Sequence, residues 1–94
     1  MFKAIVIPAQ GEIREQVLPE GEGKRIEALQ AIVGGMLEPL SMPQGRYFLF
    51  DEDGKLKGLK PNPMATYMAR EARAISADDY IAGDVALVEA KVLE

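Results

Sequence analysis

The chain has 94 residues, a net charge of −4, and neither cysteine nor histidine. That is enough for one small domain with a modest core. Without cysteine there is no disulfide, zinc–thiolate or thiol redox chemistry, and without histidine the commonest general base, metal ligand and pH switch are gone. The mildly acidic balance disfavours binding duplex nucleic acid through its phosphates. No apolar run is long enough to span a bilayer. The opening MFKAIVIPAQGE lacks a full signal-peptide core and a small-residue cleavage site, so a cytoplasmic protein is expected.

Residues 2–8 (FKAIVIP) are rich in β-branched side chains and stop at a proline, which predicts a strand buried on both faces. A turn at 9–12 leads into a second, half-exposed strand at 13–18 (IREQVL), giving an antiparallel hairpin. After the loop PEGEG, a helix is expected over 24–33, with Ile26, Leu29 and Val33 at helical spacing and Ala28 and Ile32 widening the stripe. Gly34 and Gly35 end it. Residues 36–40 read as a short extended segment, kept irregular or at a sheet edge by Pro39 and Pro43.

A third strand is expected at 47–50, an acidic turn at Asp51–Gly54, and a fourth strand at 55–59. Asn62-Pro63 is a strong helix start: asparagine is a favoured N-cap, and proline suits the first helical position. The apolar face of that helix is expected to comprise Met64, Tyr67, Met68 and Ala72. The last strand, 80–90 (YIAGDVALVEA), is apolar on both sides and therefore central. The order β-β-α-β-β-α-β implies an α+β domain, a mixed, β-grasp-like sheet of about five strands covered by two helices.

Three clusters could carry chemistry. The acidic turn Asp51-Glu52-Asp53-Gly54 departs from a calcium loop, because Lys55 and Lys57 stand at ligand positions and Asn62 replaces the closing glutamate; it reads as a solvated turn. Lys55, Lys57 and Lys60 lead into the helix that begins at Asn62 and carries Thr66, where unpaired backbone N–H groups suit an anion, although capping by Asn62 explains the same residues. Gly35 and Glu38 after the first helix could let a ligand approach closely, against a helix C-cap and a surface carboxylate. The candidate ligand-binding set is thus Gly35, Glu38, Lys57, Lys60, Asn62 and Thr66. No serine has an activating histidine and no lysine lies in an evident apolar pocket, so no catalytic residue, cofactor or metal is expected.

The stretches KAIVIPAQGEIREQVLP, LQAIVGGMLEPL, FLFDEDGKLKGLKPNPMAT and YIAGDVALV span most of the chain. In their order and spacing they resemble the DUF3846 family, small phage and mobile-element proteins of unknown function. The resemblance implies a compact α+β domain in a phage accessory setting and supplies no reaction. Family-like positions are Gly34, Gly35, Glu38, Asp51, Glu52, Gly54, Asn62, Ala65 and Gly83; Pro63 and Met64 depart from the pattern beside the cap. The expected function is a non-enzymatic phage accessory protein in the host cytoplasm, a homo-oligomer that sequesters a small anionic, nucleotide-type ligand of host defence. The alternative is a module that binds a host protein through an acidic face or a sheet edge.

Overall fold

The run VALV at 85–88 is apolar without interruption, and the sheet is built outward from it. The computed structural model describes all 94 residues, Met1–Glu94. The elements are β1 (Phe2–Ile7), β2 (Arg14–Leu18), α1 (Glu22–Val33), β3 (Leu37–Met42), β4 (Arg46–Asp51), α2 (Pro63–Glu71), β5 (Val85–Glu89) and a final 3₁₀ turn (Ala90–Leu93). They form one five-stranded sheet in the order β2-β1-β5-β4-β3. The α+β class, the five strands and the two helices are as expected. The sheet is not mixed: every pairing is antiparallel.

The two helices lie on opposite faces. Leu29 of α1 and Val92 of the 3₁₀ turn pack on Ala4, Leu18, Leu49, Ala86 and Val88. Ala65 and Ala69 of α2 pack on Ile7, Met42, Phe48, Val85 and Leu87. Successive side chains of a strand point to opposite faces, so β5, covered on both, is buried at Val85, Ala86, Leu87 and Val88. β1 is less enclosed than expected: the α2 layer covers Ile7 but stops short of Ile5, which remains 39% exposed.

Two strand assignments change. The expected fourth strand, 55–59, is a series of tight turns in which Lys57 N–H donates to Asp53 O, Gly58 N–H to Lys55 O and Leu59 N–H to Gly54 O. Gly58 holds φ +72°, which no extended strand tolerates. The partner of β4 lies upstream instead, in β3, joined by a hairpin in which Gln44 and Gly45 both take positive φ (66° and 69°). Pro39 sits within that edge strand. The ladder carries a bond from Glu52 N–H to Met36 O, so the even-numbered residues of β3 bond to β4 and Pro39 turns its missing donor outward. The last strand is also shorter than 80–90: Gly83, at φ +88°, breaks the extended chain ahead of Val85.

α2 starts at Asn62-Pro63 as expected, but its buried face is turned. Met68 and Ala72 pack against the core as expected, but Ala65, Thr66 and Ala69 are the helix's buried residues, and Met64 and Tyr67 are 48% and 63% exposed. The small alanines let the helix approach Phe48 closely, which a tyrosine or methionine stripe would prevent.

Candidate functional site

The sequence-nominated residues are dispersed. Asn62 is fully buried: Oδ1 accepts from Ala65 N–H (3.0 Å), and Nδ2 donates to Ile7 O (2.8 Å) and Gly83 O (2.9 Å). Its side chain thus caps α2 and ties that helix to β1 and to the bend before β5. Thr66 is also buried, its Oγ1 accepting from Ile81 N–H (3.0 Å) and donating to Ile81 O (3.4 Å). Both side chains are buried and spent on backbone partners, so the start of α2 presents a closed cap rather than an open row of donors. Lys60 lies apart from both, in a shallow depression beside Ala9, Gly83 and Asp84.

Gly35 and Lys57 do converge, on a residue that looked like part of a solvated turn. Asp51 closes β4 and is only 3% exposed. Its Oδ2 accepts from Lys57 Nζ at 2.6 Å and its Oδ1 from Asp53 N–H at 2.8 Å. The hydrogen bond from Lys57, and then that from Asp53, hold its carboxyl below the usual carboxylate range against the opposing effect of burial. Gly35 is there for space: a Cβ on it would stand 2.5 Å from Asp51 Oδ2 and 2.8 Å from Lys57 Nζ. An aspartate whose carboxylate accepts from the N–H two residues on is a recurrent turn former; that spacing was the signal in the sequence. Asp51 and Lys57 neutralise each other and fix the 52–58 turns, leaving neither free for a ligand.

Glu38 lies across the sheet, on the α2 side, and opens a different site. A cleft of about 660 Å³ separates β3 and the end of β4 from the segment after α2. Leu40 and Phe50 project from the strands, Ile75 and Ile81 close it from the opposite wall, and Glu38, Glu52, Lys55, Asp79 and Tyr80 stand around it. Lys55 Nζ is 2.5 Å from Asp79 Oδ1 and 4.6 Å from the centroid of the Tyr80 ring, so one clasp joins the 52–58 turns to the 76–81 loop. That hydrogen bond raises the Lys55 pKa and lowers that of Asp79. Arg70 holds the loop from behind, donating twice to Asp79 O (3.0 and 2.7 Å). Glu38 and Glu52 have no ion-pair partner. The cleft is therefore apolar within and acidic at its rim, its one lysine already engaged. Of the ligand-binding set only Glu38 belongs to it, together with Lys55 of the lysine run; Asp79, Tyr80 and Ile75 were missed because their proximity depends on how the 74–81 segment folds back.

No helix is long and apolar enough to cross a membrane. The model of the family described as "Domain of unknown function (DUF3846)" matches residues 2–92. Neither the curated proteins nor the solved structures contain a match.

Proposed function

The chain belongs to the DUF3846 family, and we propose that it is a non-enzymatic binding domain which seats a basic, partly apolar segment of another protein in the cleft beside β3. The observation that carries this reading is the pairing of an apolar interior with two unpartnered carboxylates, Glu38 and Glu52. An Arg or Lys of the incoming segment meets Glu38, and an apolar side chain next to it enters between Phe50 and Ile75. Charge opposition of this kind steers encounter and fixes register, while the apolar contact supplies affinity. Sequestration of a small anionic ligand in a phage accessory setting is the weaker reading, because Lys57 and Lys55 are bound to Asp51 and Asp79 and the Asn62 cap is closed. Action in the cytoplasm is part of the same proposal.

Calorimetry separates the two readings. Short peptides pairing Arg or Lys with Leu or Phe are titrated alongside acidic counterparts and a panel of cyclic and linear nucleotides. The basic apolar peptides are expected to bind, and Glu38→Lys to weaken them about tenfold or more. Nucleotide binding without peptide binding sinks the proposal, and turnover of a bound ligand on long incubation sinks its non-enzymatic part.

A further inference from the structure

The sheet ends differently at its two edges. β3 is blunted by Pro39, whose missing donor faces outward, a common guard against strand addition. β2 has no proline and no strand beyond it, and α1 buries it only at Leu18. Its α2-side face is also bare: Ile5, Ile13 and Val17 are 39%, 52% and 59% exposed. An open edge beside exposed apolar side chains is where another strand adds.

We propose that the added strand is β2 of a second copy, paired antiparallel about a two-fold axis at Gln16. An axis normal to the sheet keeps each face on its own side, so facing residues must share parity. Centring on Glu15 opposes two carboxylates, and centring on Val17 leaves only residues 16–18 of the strand paired. Centring on Gln16 pairs all of Arg14–Leu18: Arg14 faces the second copy's Leu18, Glu15 faces its Val17, and the two Gln16 side chains meet. No like charges oppose each other within the strand, and Glu15 is already paired with Lys3 of β1 at 3.5 Å, so this register meets no charge repulsion. Just outside, Ile13 comes opposite Pro19 of the second copy, and the two Val17 side chains become diagonal neighbours across the axis. The ten-stranded sheet that results carries its two acidic clefts at opposite ends, roughly 40 Å apart at the usual strand spacing, so one dimer engages two segments at once.

The natural chain has no cysteine, so single cysteines report the register cleanly. With a short thiol-specific cross-linker, Gln16→Cys is expected to give a covalent dimer. Arg14→Cys, whose thiols stand about 13 Å apart in this register, should not. Light scattering on the native chain is expected to give twice 10.3 kDa. Val17→Glu places a carboxylate against the second copy's Glu15 and should raise the dimer dissociation constant about tenfold, whereas Val17→Arg should not. Val17 is exposed, so both variants are expected to fold, which circular dichroism checks. A monomeric native chain at sub-millimolar concentration, or equal cross-linking from positions 14 and 16, overturns the proposal; neither outcome bears on the cleft.

Discussion

At the scale of single residues, Asn62 shows how one side chain can do the work of several contacts. An N-cap by itself contributes about 1 kcal/mol. Here the same amide also satisfies two buried carbonyls, Ile7 O and Gly83 O. Asn62→Ala is therefore expected to cost roughly 3 kcal/mol, read as a lower urea midpoint, because unpaired buried acceptors add to the lost cap. Asn62→Asp keeps the acceptor for Ala65 N–H but sets a buried carboxylate oxygen against two carbonyl oxygens, and should cost at least as much as the alanine at neutral pH. Gly35→Ala tests the packing around Asp51. The new methyl displaces a buried carboxylate from its lysine, for an expected loss of roughly 1–3 kcal/mol.

Asp51 also sets a pH dependence. Its pKa in the folded chain lies below the usual carboxylate range. The stabilisation is thus complete above that range and is lost as pH falls through the folded value. Thermal melts are expected to drop steeply below about pH 4. Lys57→Met should be less stable at neutral pH and lose less on acidification, since a buried carboxylate without its cation no longer favours the charged form. The Lys55–Asp79 pair acts in the same direction on the acid side through Asp79, but both side chains are nearly half exposed and solvent screens them.

At the scale of elements, α1 was legible and α2 only half so. Leu29 and Val33 are buried where the periodicity placed them, because in α1 apolar character and size point the same way. In α2 two of the three large apolar residues, Met64 and Tyr67, face outward while Met68 packs on the core, and the alanines face Phe48. The Asn62 and Thr66 hydrogen bonds set the helix rotation, and hydrophobic spacing does not reveal them. The turns at 55–59 were mistaken for a strand because Leu56 and Leu59 alternate with lysines; the positive φ at Gly58 decides otherwise. Arg25 is the other surprise, a buried arginine in α1. It donates to Val92 O and Glu94 O and its guanidinium lies 3.9 Å from the Phe2 ring centroid. It locks the 3₁₀ turn over the sheet. Arg25→Met is expected to speed hydrogen exchange at Val92–Glu94 before it changes the rest of the chain, since the lost bonds are local to that turn.

At the scale of the whole molecule, the central place of β5 follows from the run VALV at 85–88, because only a strand covered on both faces has no polar alternation to keep. The first hairpin, both helix boundaries marked by Gly34 and Asn62-Pro63, and the edge position implied by Pro39 were likewise fixed locally, by backbone preferences that each residue carries with it. The candidate site was not. Gly35 and Lys57 were singled out for a ligand, and the fold turns them on Asp51; Asn62 and Thr66 were singled out for an anion, and the fold buries them. The cleft joins Glu38 of β3 to Asp79 and Tyr80, some forty residues further along, through a segment that has no periodicity to read. The sequence by itself determined the class, the central strand and the helix caps, since these follow from local dihedral preference and hydrophobic period. Only the tertiary structure decided which strand pairs with β4, which face of α2 is buried, and which charged groups are spent on one another. Those outcomes depend on contacts between residues distant in the chain, where the hydrogen-bonding needs of buried groups such as Asn62 and Asp51 outweigh local preference.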